Sequence, residues 1–192
     1  LLLVSPYYSK PGQAGLLHHF TEVARATDVP VMLYDVPGRT GTTIALETYT
    51  AARELGTVVA VKEATGDFVR GTRLLDLGYA VYSGDDHANL GWLAHGGCGF
   101  VSVAGHAAGD ALAEMVRAWF DGDTTGALAT YRRILPAVDA IMSVPNYGAT
   151  TAKAALQLLG VIDNRAVRSP LLPLDDDEVA ALRAGLEASA LI

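Results

Sequence analysis

The stretch Val58-Val59-Ala60-Val61-Lys62-Glu63-Ala64-Thr65-Gly66 decides the reading of this chain. Four aliphatic residues form a short apolar run of the kind that lies buried as a parallel strand. The run ends on a lysine and passes into a loop. Lysine is almost never buried unless it is paired or functional. Two readings of Lys62 are open at this point. It can snorkel from the strand end into water. It can also stay desolvated, which lowers its pKa and leaves a neutral amine able to attack a carbonyl and form a Schiff base.

Working outward, four further runs have strand character: Leu1–Ser5, Val31–Asp35, Tyr79–Ser83 and Gly99–Val103. They are continuous and not alternating, as in parallel strands covered on both faces. Helical spacing fills the gaps. Leu16, Leu17, Phe20, Val23 and Ala24 share one face, and further helices are expected over 45–55, 67–77, 86–95 and 107–120. Pro30, Gly56, Gly78 and Gly96-Gly97 sit just before strands, where helices end. Strict β-α alternation predicts right-handed crossovers and a parallel sheet.

After the fifth strand the alternation stops. Residues 124–142, 148–159 and 176–191 read as helices, and Asp175-Asp176-Asp177-Glu178 reads as an N-cap with a dipole complement for the last one. Two α/β architectures fit: a doubly wound open sheet, or the end of a parallel (β/α)8 TIM barrel with a C-terminal helical extension. A barrel takes about 250 residues, so about the first three βα units would be lacking. The chain opens inside a strand with no starting methionine, which favours the barrel and the expectation of a fragment. The expected division is 1–122 for the last five βα units and 123–192 for the helical extension.

The bulk numbers agree with one sizeable core: 192 residues, 51% of them apolar. A net charge of -7 with no basic stripe argues against nucleic acid as a partner. No run approaches the roughly 20 apolar residues that span a bilayer. The single cysteine, Cys98, excludes an internal disulfide and suits a reducing, cytoplasmic compartment. Leu1-Leu2-Leu3-Val4 lacks the flanks of a signal peptide.

In a barrel, chemistry sits at the C-terminal ends of the strands. Those ends carry Pro6-Tyr7-Tyr8, Tyr34-Asp35-Val36-Pro37-Gly38-Arg39-Thr40, Lys62-Glu63-Ala64-Thr65-Gly66, Ser83-Gly84-Asp85-Asp86 and Val101-Ser102-Val103. One rim thus offers an amine, three phenols, a guanidinium and glycines. Lysine is a nucleophile for carbonyl carbon, a tyrosine hydroxyl can shuttle protons, and arginine grips a carboxylate in bidentate fashion.

The strings VSPYYSKP, LYDVPGRTG, VVAVKEATGD, YSGDD, GCGFVSVAGH and PNYGATTAKAALQLLGV resemble, in order and spacing, the dihydrodipicolinate (4-hydroxy-tetrahydrodipicolinate) synthase family. That family belongs to the pyruvate-dependent, Schiff-base aldolases, and the resemblance covers about the last two thirds of a member. It implies a lyase of lysine and diaminopimelate biosynthesis that condenses pyruvate with L-aspartate 4-semialdehyde. Lys62 matches the Schiff-base lysine and Tyr34 the proton-relay tyrosine. Tyr8 matches the tyrosine that completes the relay from a neighbouring subunit. Arg39 matches the arginine that holds the semialdehyde carboxylate. Gly84, Val101 and Thr65 fall at substrate-binding positions, and Tyr7 at the lysine-effector site. The resemblance implies no metal and no cofactor, since the lysine imine is the electron sink. It also implies a homo-oligomer, a tetramer built as a dimer of dimers. A threonine pair that binds pyruvate lies, in the family, ahead of the part matched here. The alternatives are a sister aldolase acting on N-acetylneuraminate or 2-keto-3-deoxygluconate, which typically lacks the Arg39 guanidinium, or an inactive fragment.

Each site residue also has a plain reading: Tyr34 as a packed strand aromatic, Arg39 as a loop charge, Tyr7 and Tyr8 as an interface pair, Gly84 as a turn and Val101 as core. Gly96-Gly97-Cys98-Gly99 precedes its strand and reads as a tight turn, because phosphate-binding helix N-termini follow strands. His18, His19, His87, His95 and His106 lack ligand spacing. Asp85-Asp86 follows a strand and opens a helix, so a helix cap explains it as well as a metal site does, and the cap is the reading taken. Trp92 and Trp119 read as packing residues.

Overall fold

The aliphatic runs pair in sequence order as five parallel strands: β1 (Leu2–Val4), β2 (Val31–Asp35), β3 (Val58–Glu63), β4 (Ala80–Ser83) and β5 (Gly99–Phe100). The computed structural model describes residues 1–145 and 147–192; Asn146, within the string from Pro145 to Val161, lies outside the described residues. Between the strands lie α1 (Gln13–Arg25), α2 (Pro37–Thr40), α3 (Leu46–Arg53), α4 (Phe68–Asp76) and α5 (Asn89–Ala94). They are followed by α6 (Gly105–Phe120), α7 (Thr124–Met142), α8 (Ala149–Leu158) and α9 (Asp176–Ala188). The chain forms two compact units, Leu1–Val101 and Ser102–Ile192. This division by compactness groups α6 with the later helices, whereas a boundary at 122 counts α6 with the strand it follows.

In the first unit, side-chain alternation along each strand separates two faces. Val31, Leu33, Val61 and Val81 lie on one face and are fully buried with Leu16 and Phe20 of α1, Tyr49 and Ala52 of α3, Leu74 of α4 and Trp92 of α5. Each buried Val, Leu or Phe side chain among them contributes about 1.5–3 kcal/mol by leaving water. The opposite face carries Met32, Tyr34 and Tyr82, all half-buried, and Lys62. The strand register pairs Tyr34 with Lys62 and Asp35 with Glu63, and pairs Lys62 in turn with Tyr82. The two faces therefore end in different chemistry. One ends in Tyr34, Lys62 and Tyr82, the other in Asp35, Glu63 and Ser83.

The strand around Gly99 is shorter than the sequence predicts. Val101 N still donates to Ser83 O at 2.9 Å. Beyond it, Ser102 Oγ accepts the Gly105 N–H at 2.8 Å and so turns the chain into α6. The helix expected over 86–95 opens as a 3₁₀ turn, Asp86–Ala88, before α5. Gly96, at φ +91°, makes the tight turn before β5, and a side chain on Gly97 would collide with the Trp92 carbonyl.

In the second unit α6, α7, α8 and α9 pack on one another. Asp123 caps α7 by accepting the Gly126 N–H at 2.8 Å. Pro136 lies inside α7 and, having no N–H, removes one bond of the ladder. Next to it the Ala137 N–H donates to buried Ser189 Oγ at 2.9 Å. Asp175 and Glu178 form the capping box expected of the charge run, at 2.8 and 3.0 Å. No helix among the described residues is long and apolar enough to cross a membrane.

Candidate active site

Lys62 ends the apolar run of β3 with only 9% of its surface exposed. Its ammonium nitrogen lies 4.3 Å from the centroid of the Tyr34 ring on the adjacent strand. Burial pushes the amine below the ordinary lysine range; the negative charge of Asp86 opposes that shift and does not cancel it. Within this chain the Lys62 side chain lies against the strand ends and does not extend into water. A lysine with a lowered pKa, held against a phenol, is equipped for attack on a carbonyl.

Gly84 follows β4 and meets Lys62 directly. A Cβ at this position would sit 3.0 Å from Lys62 Cε, 3.0 Å from Glu63 O and 2.9 Å from Ala64 Cβ. The Gly84 N–H donates to Glu63 O at 2.7 Å. The absence of a side chain here leaves the room that the lysine stem occupies. Its role in this chain is therefore close approach to Lys62 as well as a turn.

The remaining residues singled out from sequence are less concentrated. Arg39 is an exposed residue of α2, at the tip of the loop after β2. Thr65 turns its hydroxyl to the Glu63 carboxylate and accepts the Asp67 N–H at 3.2 Å, so it shapes the loop after β3. Val101 is 37% exposed just past β5. Tyr7 and Tyr8 are 69% and 94% exposed, and Tyr8 holds a positive φ of 64°. With so much of its surface in solvent, the Tyr8 phenol is not packed on the Lys62–Tyr34 pair within a single chain.

Sequence reasoning missed two features. In sequence Asp85 and Asp86 both look like caps, but the structure separates them. Asp85 accepts the His87 N–H at 3.1 Å, whereas Asp86 is buried, accepts from Asn89 Nδ2 at 3.0 Å and acts electrostatically on Lys62. The second is the charged cluster behind the strand ends. Arg70 Nη2 lies 2.7 Å from Asp35 Oδ2, and Arg70 Nη1 lies 3.5 Å from Glu63 Oε1. Asp35 and Glu63 are fully buried, and burial raises both carboxyl pKa values, opposed for Asp35 chiefly by Arg70 and for Glu63 by hydrogen bonds from Thr65. The only advance signal was that an acid follows each of Tyr34 and Lys62.

Among the described residues no three His, Cys, Asp or Glu side chains gather as metal ligands. A cleft of about 640 Å³ in the second unit, lined by His106, Asp110, Glu114, Arg117 and Arg133, contains none of the site residues.

Comparison with known proteins places this geometry. A family model described as the dihydrodipicolinate synthetase family matches residues 1–189. A 4-hydroxy-tetrahydrodipicolinate synthase of Kineococcus radiotolerans is 50% identical over all of this chain and 62% of its own length. The solved lysine-bound synthase of Cyanidioschyzon merolae is 36% identical with a TM-score of 0.91, covering 100% of this chain and 65% of that one. The chloride-inhibited synthase of Acinetobacter baumannii, complexed with pyruvate, is 35% identical with a TM-score of 0.91 over 100% of this chain and 66% of that one. The chain thus spans slightly less than two thirds of the length of these relatives. Its parallel strands and helices correspond to the end of a TIM barrel with its C-terminal helices, which decides against the doubly wound sheet.

Proposed function

The chain belongs to the dihydrodipicolinate synthetase family, and from that premise we infer that the whole protein condenses pyruvate with L-aspartate 4-semialdehyde to 4-hydroxy-tetrahydrodipicolinate. The observation that carries this reading is the buried, pKa-lowered Lys62 held over the Tyr34 ring. The neutral Lys62 amine adds to the pyruvate ketone. Loss of water gives a protonated imine, with Tyr34 passing the proton to the departing oxygen. A proton leaves the methyl carbon to give an enamine, whose electron pair forms the new carbon–carbon bond to the aldehyde. The aldehyde oxygen takes up a proton and becomes a hydroxyl. The amino group of the semialdehyde then attacks the imine carbon, closes the ring and expels the Lys62 amine. The imine nitrogen is the electron sink throughout, so neither metal nor organic cofactor takes part.

Arg39 is assigned to the carboxylate of the semialdehyde, and Val101, Gly84 and Thr65 to the walls of the substrate site. The exposure of Tyr8 fits a phenol that completes the relay of a second copy, in a homotetramer built as a dimer of dimers. Tyr7 is assigned to an effector site near that boundary. The barrel units are assigned to residues 1–122 and the helical extension to 123–192. A biosynthetic role in the cytoplasm follows from the reading.

A condensation assay on the whole protein tests it. Product from pyruvate and the semialdehyde, with no cleavage of N-acetylneuraminate or 2-keto-3-deoxygluconate, is expected. Turnover of a sugar acid with none of the semialdehyde would overturn the assignment.

A further inference from the structure

We propose that Arg70 is the positioning residue of the aldolase site, fixing from behind the strand ends the three segments that carry Lys62, Tyr34 and Arg39. This rests on the reading of Lys62 as the Schiff-base lysine. The pleat of each strand sends consecutive side chains to opposite faces. Lys62 faces the site, so Glu63 faces the helices; Tyr34 faces the site, so Asp35 faces the helices. The register places both acids side by side. One guanidinium, from the first turn of α4, reaches both.

Arg70 makes a third connection. Its Nη2 also donates to Ile44 O, while the Ile44 N–H donates to Asp35 Oδ2 at 3.2 Å. Ile44 closes the loop that carries Arg39. The same loop is held at its exit by Gln13, whose amide donates to Thr43 O at 2.9 Å and accepts from Ala45 N at 2.9 Å and Thr48 Oγ1 at 2.7 Å. Glu63 extends the network forward by accepting from Thr65 N at 3.0 Å and Gly66 N at 3.3 Å. Tyr49 donates to Asp35 Oδ2 at 3.3 Å and lays its ring under the guanidinium at 5.3 Å.

Arg70 lies with Asp35 and Glu63 on the face of the sheet opposite Lys62 and Tyr34. Arg70 Nη2 donates to both Asp35 Oδ2 and Ile44 O, while Nη1, 3.5 Å from Glu63 Oε1, acts on that carboxylate by charge and not by a hydrogen bond; a lysine ammonium, a compact point charge on a flexible stem, has no second nitrogen to reach Glu63. The network therefore sets where the Lys62 amine and the Tyr34 phenol stand relative to each other, and small displacements of reacting groups are costly in rate.

The test is the rate of borohydride trapping of pyruvate on Lys62 in the whole protein, compared with Arg70→Lys and Arg70→Ala. Arg70→Lys keeps one positive charge between the buried acids and is the variant expected to fold. Its trapping rate at saturating pyruvate should fall about tenfold to a hundredfold, with the melting curve still cooperative. Millimolar guanidinium, and not ammonium, should restore trapping in Arg70→Ala, because only the planar cation can rebuild the fork. A cooperatively folded Arg70→Lys that traps pyruvate within twofold of the unaltered protein would overturn the proposal. Absence of a Lys62 adduct in the unaltered protein would overturn the aldolase reading and this inference with it, and so is distinct from a loss confined to the variants.

Discussion

Lys62 and Tyr34 occupy the same register position on adjacent parallel strands, and the Lys62 nitrogen sits 4.3 Å from the Tyr34 ring centroid. The ring face covers the amine, and the hydroxyl is the group assigned to the proton relay. Tyr34→Phe keeps the cover and removes the relay. Steady-state condensation by this variant should fall about 10²–10⁴-fold, the usual loss for a proton-transfer group. Activity above a tenth of the unaltered value would show that the hydroxyl is not the relay.

The lowered pKa of Lys62 gives two pH signatures. Adduct formation should rise with pH as the amine loses its proton, with a midpoint below the ordinary lysine value of 10.5. Stability should move in the same direction. Between the folded and unfolded pKa values the unfolded chain binds more protons, so stability increases as pH rises across that window. Lys62→Met should flatten that rise in denaturant titrations taken at several pH values. An unchanged slope would mean that Lys62 is not held below its ordinary value.

Gly84→Ala places a methyl group 3.0 Å from Lys62 Cε and 3.0 Å from the Glu63 carbonyl. The lysine stem can swing away, but the backbone carbonyl cannot. Trapping of pyruvate should slow about tenfold or more, because a misplaced nucleophile loses its near-attack geometry. Equal trapping rates in Gly84→Ala and the unaltered protein would assign the glycine to the turn alone.

Gly71 faces the Trp92 ring, and a Cβ there would lie well inside contact distance of the indole edge. Both residues are buried, so neither has room to yield. Gly71→Ala should cost about 1–3 kcal/mol of stability by overpacking, even though alanine is the better helix former. Chemical denaturation measures this directly. A stability gain would show that α4 and α5 separate easily.

The strands were legible because each lies in a short, continuous apolar run set off by a nearby glycine or proline, and that pattern depends on neighbours in sequence. The C-terminal shortening of β5 was not, because it turns on whether Ser102 spends its hydroxyl on Gly105 N or continues the ladder. Lys62 and Tyr34 could be singled out because a polar group at the end of an apolar run is conspicuous. Arg70 could not. A cation in the first turn of a helix is ordinary, and only the β-α crossover brings it against Asp35 and Glu63. Asp86 was hidden for a related reason: two adjacent acids at a helix start both look like caps, and burial alone tells them apart.

The most direct test is borohydride reduction of the whole protein with pyruvate, followed by peptide mass spectrometry. The expected result is a reduced pyruvate adduct on Lys62, lost in Lys62→Ala. A protein that binds pyruvate without any adduct, or carries the adduct on Lys10 or Lys153 instead, would contradict it.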